Sequence, residues 1–153
     1  EKCRMKINIL YGTETGNAEM LCEDIEANLA ADHEVTLTNL EDATLEDLTA
    51  EGAYIFVCST YGDGDLPASA IDFGAIIETE KPDLSVMKFS IFGLGDMDYE
   101  ETYNNGSQRL LDLLTGCGAT QHGPRGLHDA SSGTPPEDSA LPWVNACLAE
   151  LPA

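Results

Sequence analysis

The sequence predicts one α/β domain in which a parallel sheet is covered by crossover helices. Three observations carry this. Apolar, β-rich runs alternate with helical patterns along the chain, which is how strand–helix–strand units read. Ala53–Ser59 is an almost continuous apolar run, as a strand buried on both faces requires. A glycine- and hydroxyl-rich turn, Thr13-Glu14-Thr15-Gly16-Asn17-Ala18, leads from the first apolar run into a helical pattern.

Five units fit the pattern. The first strand is read over Lys6–Leu10, followed by a helix over Asn17–Ala31 with Met20, Leu21, Ile25 and Leu29 on one face. A short strand, Glu34–Thr38, precedes an acidic connection whose Leu40, Leu45 and Leu48 can pack on the sheet. After the strand Ala53–Ser59, a helix over Ala68–Thr79 is stopped by Lys81-Pro82, because the residue before proline is pushed out of the right-handed α region. Lys88–Gly93 is the fourth strand and Asn104–Gly116 the next helix, with Leu110, Leu111, Leu113 and Leu114 as its apolar content. The fifth strand falls within Ala119–His128, interrupted by Gly123-Pro124, and Pro136–Leu151 closes the chain as a helix carrying Leu141, Trp143, Val144, Cys147 and Leu148. No repeat or interdomain linker divides residues 1–153; residues 1–4, ahead of Met5, are a candidate extension. A chain of 153 residues with 42% hydrophobic content can bury roughly 70% of its unfolded surface around one core.

Composition narrows the function. Five cysteines, Cys3, Cys22, Cys58, Cys117 and Cys147, are scattered without a CxxC pair, and His33, His122 and His128 lie in separate segments. Free thiols and no metal site are expected. No signal peptide precedes the first strand and no apolar run approaches the roughly 20 residues that span a bilayer, so the cytoplasm is the expected location. The net charge of −21 argues against nucleic acid and anionic membranes, which need Lys or Arg to displace counterions. A basic protein partner is its natural complement.

In an open parallel sheet ligands bind beyond the carboxyl ends of the strands, where the strand order reverses. The turns after strands one, three and four should meet there. The first has the shape of a phosphate cradle: helix N-terminal N–H groups, the Thr13 and Thr15 hydroxyls and the Asn17 amide. From Ile7 to Glu80 there is no Lys or Arg, so an anion there meets only dipoles and hydrogen bonds. The second turn runs Ser59-Thr60-Tyr61-Gly62-Asp63-Gly64-Asp65-Leu66-Pro67, and the third Gly93-Leu94-Gly95-Asp96-Met97-Asp98-Tyr99-Glu100-Glu101-Thr102-Tyr103. Tyr61 and Tyr99, on opposing loops, can sandwich a flat ring system. A P-loop nucleotidase is excluded because Asn17-Ala18 stands where Lys-Ser/Thr is needed. A phospho-acceptor regulator is excluded because Tyr11-Gly12 and Ser59-Thr60 occupy the places of its acidic residues.

These three loops resemble those of the flavodoxin family: a T-x-T-G-x-T/A-like phosphate turn, an S-T-[WY]-G-[DE]-G-type loop and a G-x-G-[DN]-x-x-Y loop, in order over nearly the whole chain. The length is similar to that of short-chain flavodoxins. Lys81-Pro82-Asp83-Leu84-Ser85 through Gly95, and Pro142-Trp143-Val144-Asn145, resemble the MioC-type branch; FMN domains of diflavin reductases are also similar. The resemblance implies a three-layer sandwich with a five-stranded parallel sheet in order 2-1-3-4-5, and FMN as cofactor. By the same likeness Thr13, Thr15, Asn17, Ser59 and the amides of Glu14, Gly16 and Ala18 would hold the phosphate, Ala18 replacing the commoner Thr or Ser. Thr60 would lie near the ring, Tyr61 and Tyr99 would flank it, and Gly62, followed by Gly64, would supply a peptide able to flip. Asp63, Asp96, Gly93, Leu94, Gly95 and Tyr103 complete the implied cofactor contacts. Tyr103-Asn104-Asn105 departs from the family's usual C-G-A.

The implied function is a low-potential one-electron carrier, not an enzyme, shuttling between semiquinone and hydroquinone. A monomer would then serve a reductase-type donor and an acceptor enzyme. Asp63, Asp65, Asp96, Asp98, Glu100 and Glu101 lie on the ring-binding loops; at ~10 Å in water each opposes an added electron by ~0.4 kcal/mol before screening, or on the order of 100 mV together. A MioC-like accessory or regulatory flavoprotein and an NAD(P)H-dependent quinone reductase are the alternatives.

Overall fold

A computed structural model of the chain describes residues 6–12, 17–31, 33–49, 53–59, 68–85, 87–95, 105–121, 125–129 and 135–150. The strands are β1 (Lys6–Gly12), β2 (Glu34–Asn39), β3 (Ala53–Ser59), β4 (Lys88–Gly95), β5 (Thr120–Gln121) and β6 (Gly126–Asp129). The helices are α1 (Asn17–Leu29), α2 (Ala68–Glu80), α3 (Asn105–Gly116) and α4 (Pro136–Glu150). The sheet runs β2-β1-β3-β4-β5 with every pairing parallel, and β6 also pairs with β4. The expected fifth strand is therefore one edge position filled by two short segments. Thr120 and Gln121 pair with Lys88 and Phe89, whereas Gly126–Asp129 pair with Phe92–Gly95. Pro124, which has no N–H to give a ladder, falls between them.

Alternation along the strands explains the layers. Ile7, Ile9 and Tyr11 of β1, Ile55 and Val57 of β3, and Phe92 and Leu94 of β4 share a cluster with α1 and α4 residues. Leu10, Tyr54, Phe56, Cys58, Phe89 and Ile91 point the other way, into a cluster with α2 and α3. Both faces of the central strands are thus buried, which is why β3 reads as unbroken apolar sequence. Phe56 sits at the middle of the second cluster, stacked 6.3 Å from Tyr54 and edge-on at 5.9 Å to Phe89. Leu40 and Leu48 are buried and Leu45 is packed against the same cluster, as expected of the acidic connection. Its short turns are pinned by polar ties. Thr44 and Asp47 cap one another reciprocally, and the Tyr54 hydroxyl donates to the Asp47 carbonyl at 3.1 Å.

Two local expectations change. Met20 is 65% exposed, because the stripe that α1 buries is Ala18, Leu21, Cys22, Ile25 and Leu29; at 100° per residue Met20 falls about 100° outside that arc. α2 ends at Glu80, and Lys81 leaves the right-handed region through a left-handed turn, φ 45°, still donating to the Ile77 carbonyl at 3.0 Å. Strands one, two and four run one or two residues beyond their expected ends. In α4, Val144 and Cys147 are buried while Leu141 and Trp143 pack at the margin; the side chain of Leu148 lies outside the described residues.

Gly126 is where β6 and α4 meet. A Cβ there would strike the Phe92 ring and come within 2.9 Å of the Trp143 indole, two rings packed 5.3 Å apart. Gly126→Ala is expected to lower unfolding free energy by about 1–3 kcal/mol, the cost of overpacking exceeding the ~0.5–1 kcal/mol that alanine recovers in backbone entropy. Urea unfolding followed by Trp143 fluorescence measures it; an equally or more stable variant would refute this packing.

Candidate functional site

The carboxyl edge of the sheet is levelled by strand register. Gly12 pairs with Cys58, Cys58 with Gly93, and Gly93 with Leu127, so one rung crosses four strands. The connections after β1, β3 and β4, residues 13–16, 60–67 and 96–104, leave within two residues of that rung. α1 starts at Asn17, five residues beyond it. The first-turn N–H groups of a helix have no partner inside it, and the helix dipole adds partial positive charge at that end.

The expected site residues divide sharply. Ala18 is fully buried in the cluster beneath α1, so its backbone N–H, not its side chain, is what the first turn can offer. Asn17 opens α1, Ser59 ends β3, and Gly93, Leu94 and Gly95 end β4. Leu94 packs its side chain into the α1/α4 cluster. Thr13, Glu14, Thr15, Gly16, Thr60, Tyr61, Gly62, Asp63, Gly64, Asp96, Tyr99 and Tyr103 lie outside the described residues, as do the side chains of Asn17 and Ser59.

Three features at this edge escaped the sequence reading. Tyr11 is only 7% exposed and lies near Glu19 in the first turn of α1, whose negative charge acts on its phenol. Burial first, and Glu19 second, push the phenol above its ordinary 10.0. Arg125, just before β6, donates to the Ser107 hydroxyl at 2.7 Å, tying the edge strand to the start of α3. His128 is buried beside β4, paired with Leu94. The signal for Tyr11 was present: it continues the Ile7, Ile9 alternation with a ring carrying a polar tip.

Among the described residues, the N–H groups that open α1 are donors an anionic group could use. Of the described cations, Lys6 and Lys88 begin β1 and β4 and Lys81 follows α2, while Arg109 lies in α3 and Arg125, just before β6, is bonded to Ser107; none of them belongs to α1. Comparison with known proteins decides the family. Residues 9–143 match the family model described as Flavodoxin. The chain belongs to the flavodoxin family. It is 31% identical over 140 residues to Protein MioC of Escherichia coli (strain K12), covering 92% of this chain and 94% of that one. It is 32% identical over 151 residues to NADPH-dependent diflavin oxidoreductase 1 of Schizosaccharomyces pombe, covering 96% of this chain but 26% of that protein. Oxidised Flavodoxin 2 from Bacillus cereus superposes with a TM-score of 0.83 at 30% identity, over 95% of this chain and 99% of the other. The flavodoxin sheet order 2-1-3-4-5 is the order observed here.

Among the described residues no group of three or more His, Cys, Asp or Glu converges to hold a metal ion, and no helix is long and apolar enough to cross a membrane. Cys22, Cys58 and Cys147 are buried and in no disulfide, and Cys117 is half-buried. Burial pushes the Cys58 thiol from 9.0 up to about 12. Burial, then Glu19, Glu23 and Glu26, also raise Cys22 well above 9.0.

The sign of the pH effect follows from these shifts. Above about pH 9 the unfolded chain releases thiol protons that the native protein keeps, so stability is full below pH 9 and is lost as pH rises toward 12. The expected loss is at most about 1.4 kcal/mol per pH unit for each such thiol. Urea unfolding at pH 8.0 and 10.5 should show it, with a shallower loss in Cys58→Ala; an identical slope in that variant would contradict the assignment.

Proposed function

We propose that this chain is an FMN-binding, low-potential, one-electron transfer protein. The observation that carries the reading is the common rung at Gly12, Cys58 and Gly93, which delivers three chemistry-bearing loops and the start of α1 to one edge in a member of the flavodoxin family. FMN, when bound, supplies a ring that accepts and returns single electrons. The chain's own residues do the rest. Thr13, Thr15, Asn17 and Ser59, with the amides of Glu14, Gly16 and Ala18, would bind and orient the phosphate. Tyr61 and Tyr99 would cover the two ring faces and exclude water, with Thr60, Asp63, Asp96 and Tyr103 around them. Gly62, followed by Gly64, would let its peptide turn toward the ring edge at little steric cost, and Gly93, Leu94 and Gly95 would fix where the third loop begins.

The loop carboxylates set the potential by opposing added negative charge. A carrier of net charge −21 would meet basic partner proteins, a reductase-type donor and an acceptor enzyme, by steered encounter that weakens with salt. The similarity to the FMN-domain portion of diflavin enzymes supports a reductase as donor. A single domain over residues 1–153, acting as a monomer in the cytoplasm and carrying electrons without catalysis of its own, completes the proposal. The end-to-end likeness to Protein MioC favours, as second reading, an accessory flavoprotein of that branch.

Anaerobic stepwise reduction of the FMN-loaded protein, followed by visible absorption, separates them. Two resolved one-electron steps with a strongly negative second step are expected of the carrier; a single two-electron conversion would favour the accessory or reductase reading. Failure to take up FMN would defeat all three. Replacing Asp96, Asp98, Glu100 and Glu101 by their amides should raise the second midpoint potential by roughly 20–70 mV, the range between screened and unscreened charge at ~10 Å. An unchanged potential would refute the electrostatic account.

A further inference from the structure

α2 and α3 both run from the carboxyl edge of the sheet to its amino edge, and where they end they leave a groove of about 510 Å³, open to solvent. Ile77, Pro82 and Leu113 form its apolar part. Glu78, Asp83 and Asp112 bring carboxylates to it from α2, from the connection after α2 and from α3. Lys81 is the one cation among the lining residues. The size is that of a binding cleft, and the groove lies one helix length, ~20 Å, from where α2 begins.

The walls are tied in place. The Leu84 N–H donates to the Cys117 carbonyl at 2.9 Å, joining the connection after α2 to the end of α3. Asp83 accepts from the Ser85 N–H at 3.0 Å, and Asp112 from the Gln108 amide at 2.9 Å. Each bond uses part of its carboxylate and orients the rest. A groove held in this way loses little further freedom when a partner arrives.

Its field selects a cation. Two helix C-termini, each equivalent to about half a negative charge, meet three carboxylates against one lysine, and neither helix carries a basic residue in its last turn. A second copy of this chain, at net charge −21, is repelled. A small ion would leave the apolar part unused, whereas Lys and Arg side chains lay their methylene stems on apolar surface and keep their charged heads among polar groups. The open side suits an anchor that belongs to a larger surface, whose neighbouring contacts exclude water around it.

We propose that this groove docks a basic segment of a partner protein, with an aliphatic side chain on Ile77, Pro82 and Leu113 and flanking Lys or Arg side chains among Glu78, Asp83 and Asp112. A partner held here leaves the carboxyl edge uncovered. The inference goes beyond the electron-transfer reading and does not need FMN.

The full chain is titrated at low salt with acetyl-Lys-Arg-Leu-Lys-amide and with spermidine, which carries as many positive charges, while backbone amide NMR shifts are followed. Saturable shifts at Leu113, Gly116 and Cys117 are expected with the peptide, which should bind at least about threefold tighter than spermidine. A Cβ at Gly116 would meet no neighbouring atom within 4 Å, so Gly116→Phe can fill the groove without disturbing the core; it should weaken the peptide about fivefold or more. Asp83→Asn combined with Asp112→Asn keeps both side-chain shapes and should weaken it about threefold to tenfold. Glu23→Gln combined with Asp24→Asn removes the same charge from the exposed side of α1 and should change the affinity less than about twofold. If Gly116→Phe does not fold, the two paired variants decide the matter. Shifts spread over the acidic surface without saturation at the groove, equal weakening by both pairs, or spermidine binding as tightly as the peptide overturns the proposal.

Discussion

Everything at the carboxyl edge depends on the parallel register of β1, β3 and β4. Because side chains alternate along a strand, a slip of one residue would turn Ile7, Ile9 and Tyr11 away from α1 and α4 and bring Asn8 and Leu10 in their place. The two apolar faces forbid that slip. The same register sets Gly12, Cys58 and Gly93 on one rung, and a slip of about 3.3 Å would carry one loop away from the others. Burial far from the site thereby fixes its geometry, although no residue of the core need touch a ligand.

Register aligns the starts of the loops; a polar tie secures the end of the third. Residues 96–104 run into α3, whose first turn is joined through Ser107 to Arg125. That tie pairs buried Ser107 with half-buried Arg125, where a hydrogen bond is shielded from water and a missing partner is costly. The connection between β2 and β3, on the α2/α3 face, is held in the same manner by Tyr54 and by the Thr44–Asp47 cap.

The strands and helices were legible because their signals are local. Ala53–Ser59 and Pro136 onward could be read from hydrophobicity and proline alone. Met20 was misplaced because an apolar residue beside a stripe looks, in sequence, like a member of it; only the angular position of Ala18 and Cys22 shows that the stripe lies the other way. The split of the fifth strand was foreshadowed by Gly123-Pro124, yet the pairing of Gly126–Asp129 with Phe92–Gly95 is a long-range contact that no local signal announces. The three loops stand out in the sequence as an excess of hydroxyls, aromatics and carboxylates over what a connection requires, and they lie outside the described residues.

The proposed phosphate turn, residues 13–18, has no lysine. A Lys or Arg between Ile7 and Glu80 would strengthen phosphate binding, but at ~10 Å from the ring it would also attract an added electron by ~0.4 kcal/mol before screening, cancelling about one loop carboxylate. Neutral N–H donors avoid this. Their dipoles fall off within the first turn, so they hold the phosphate at contact while adding little at the ring. An acidic carrier that must deliver electrons at low potential therefore gains from uncharged donors, provided nothing nearby competes for them. In the proposed function, a neutral phosphate turn and acidic loops would therefore act together: uncharged donors would hold the phosphate, and loop carboxylates would oppose negative charge added at the ring.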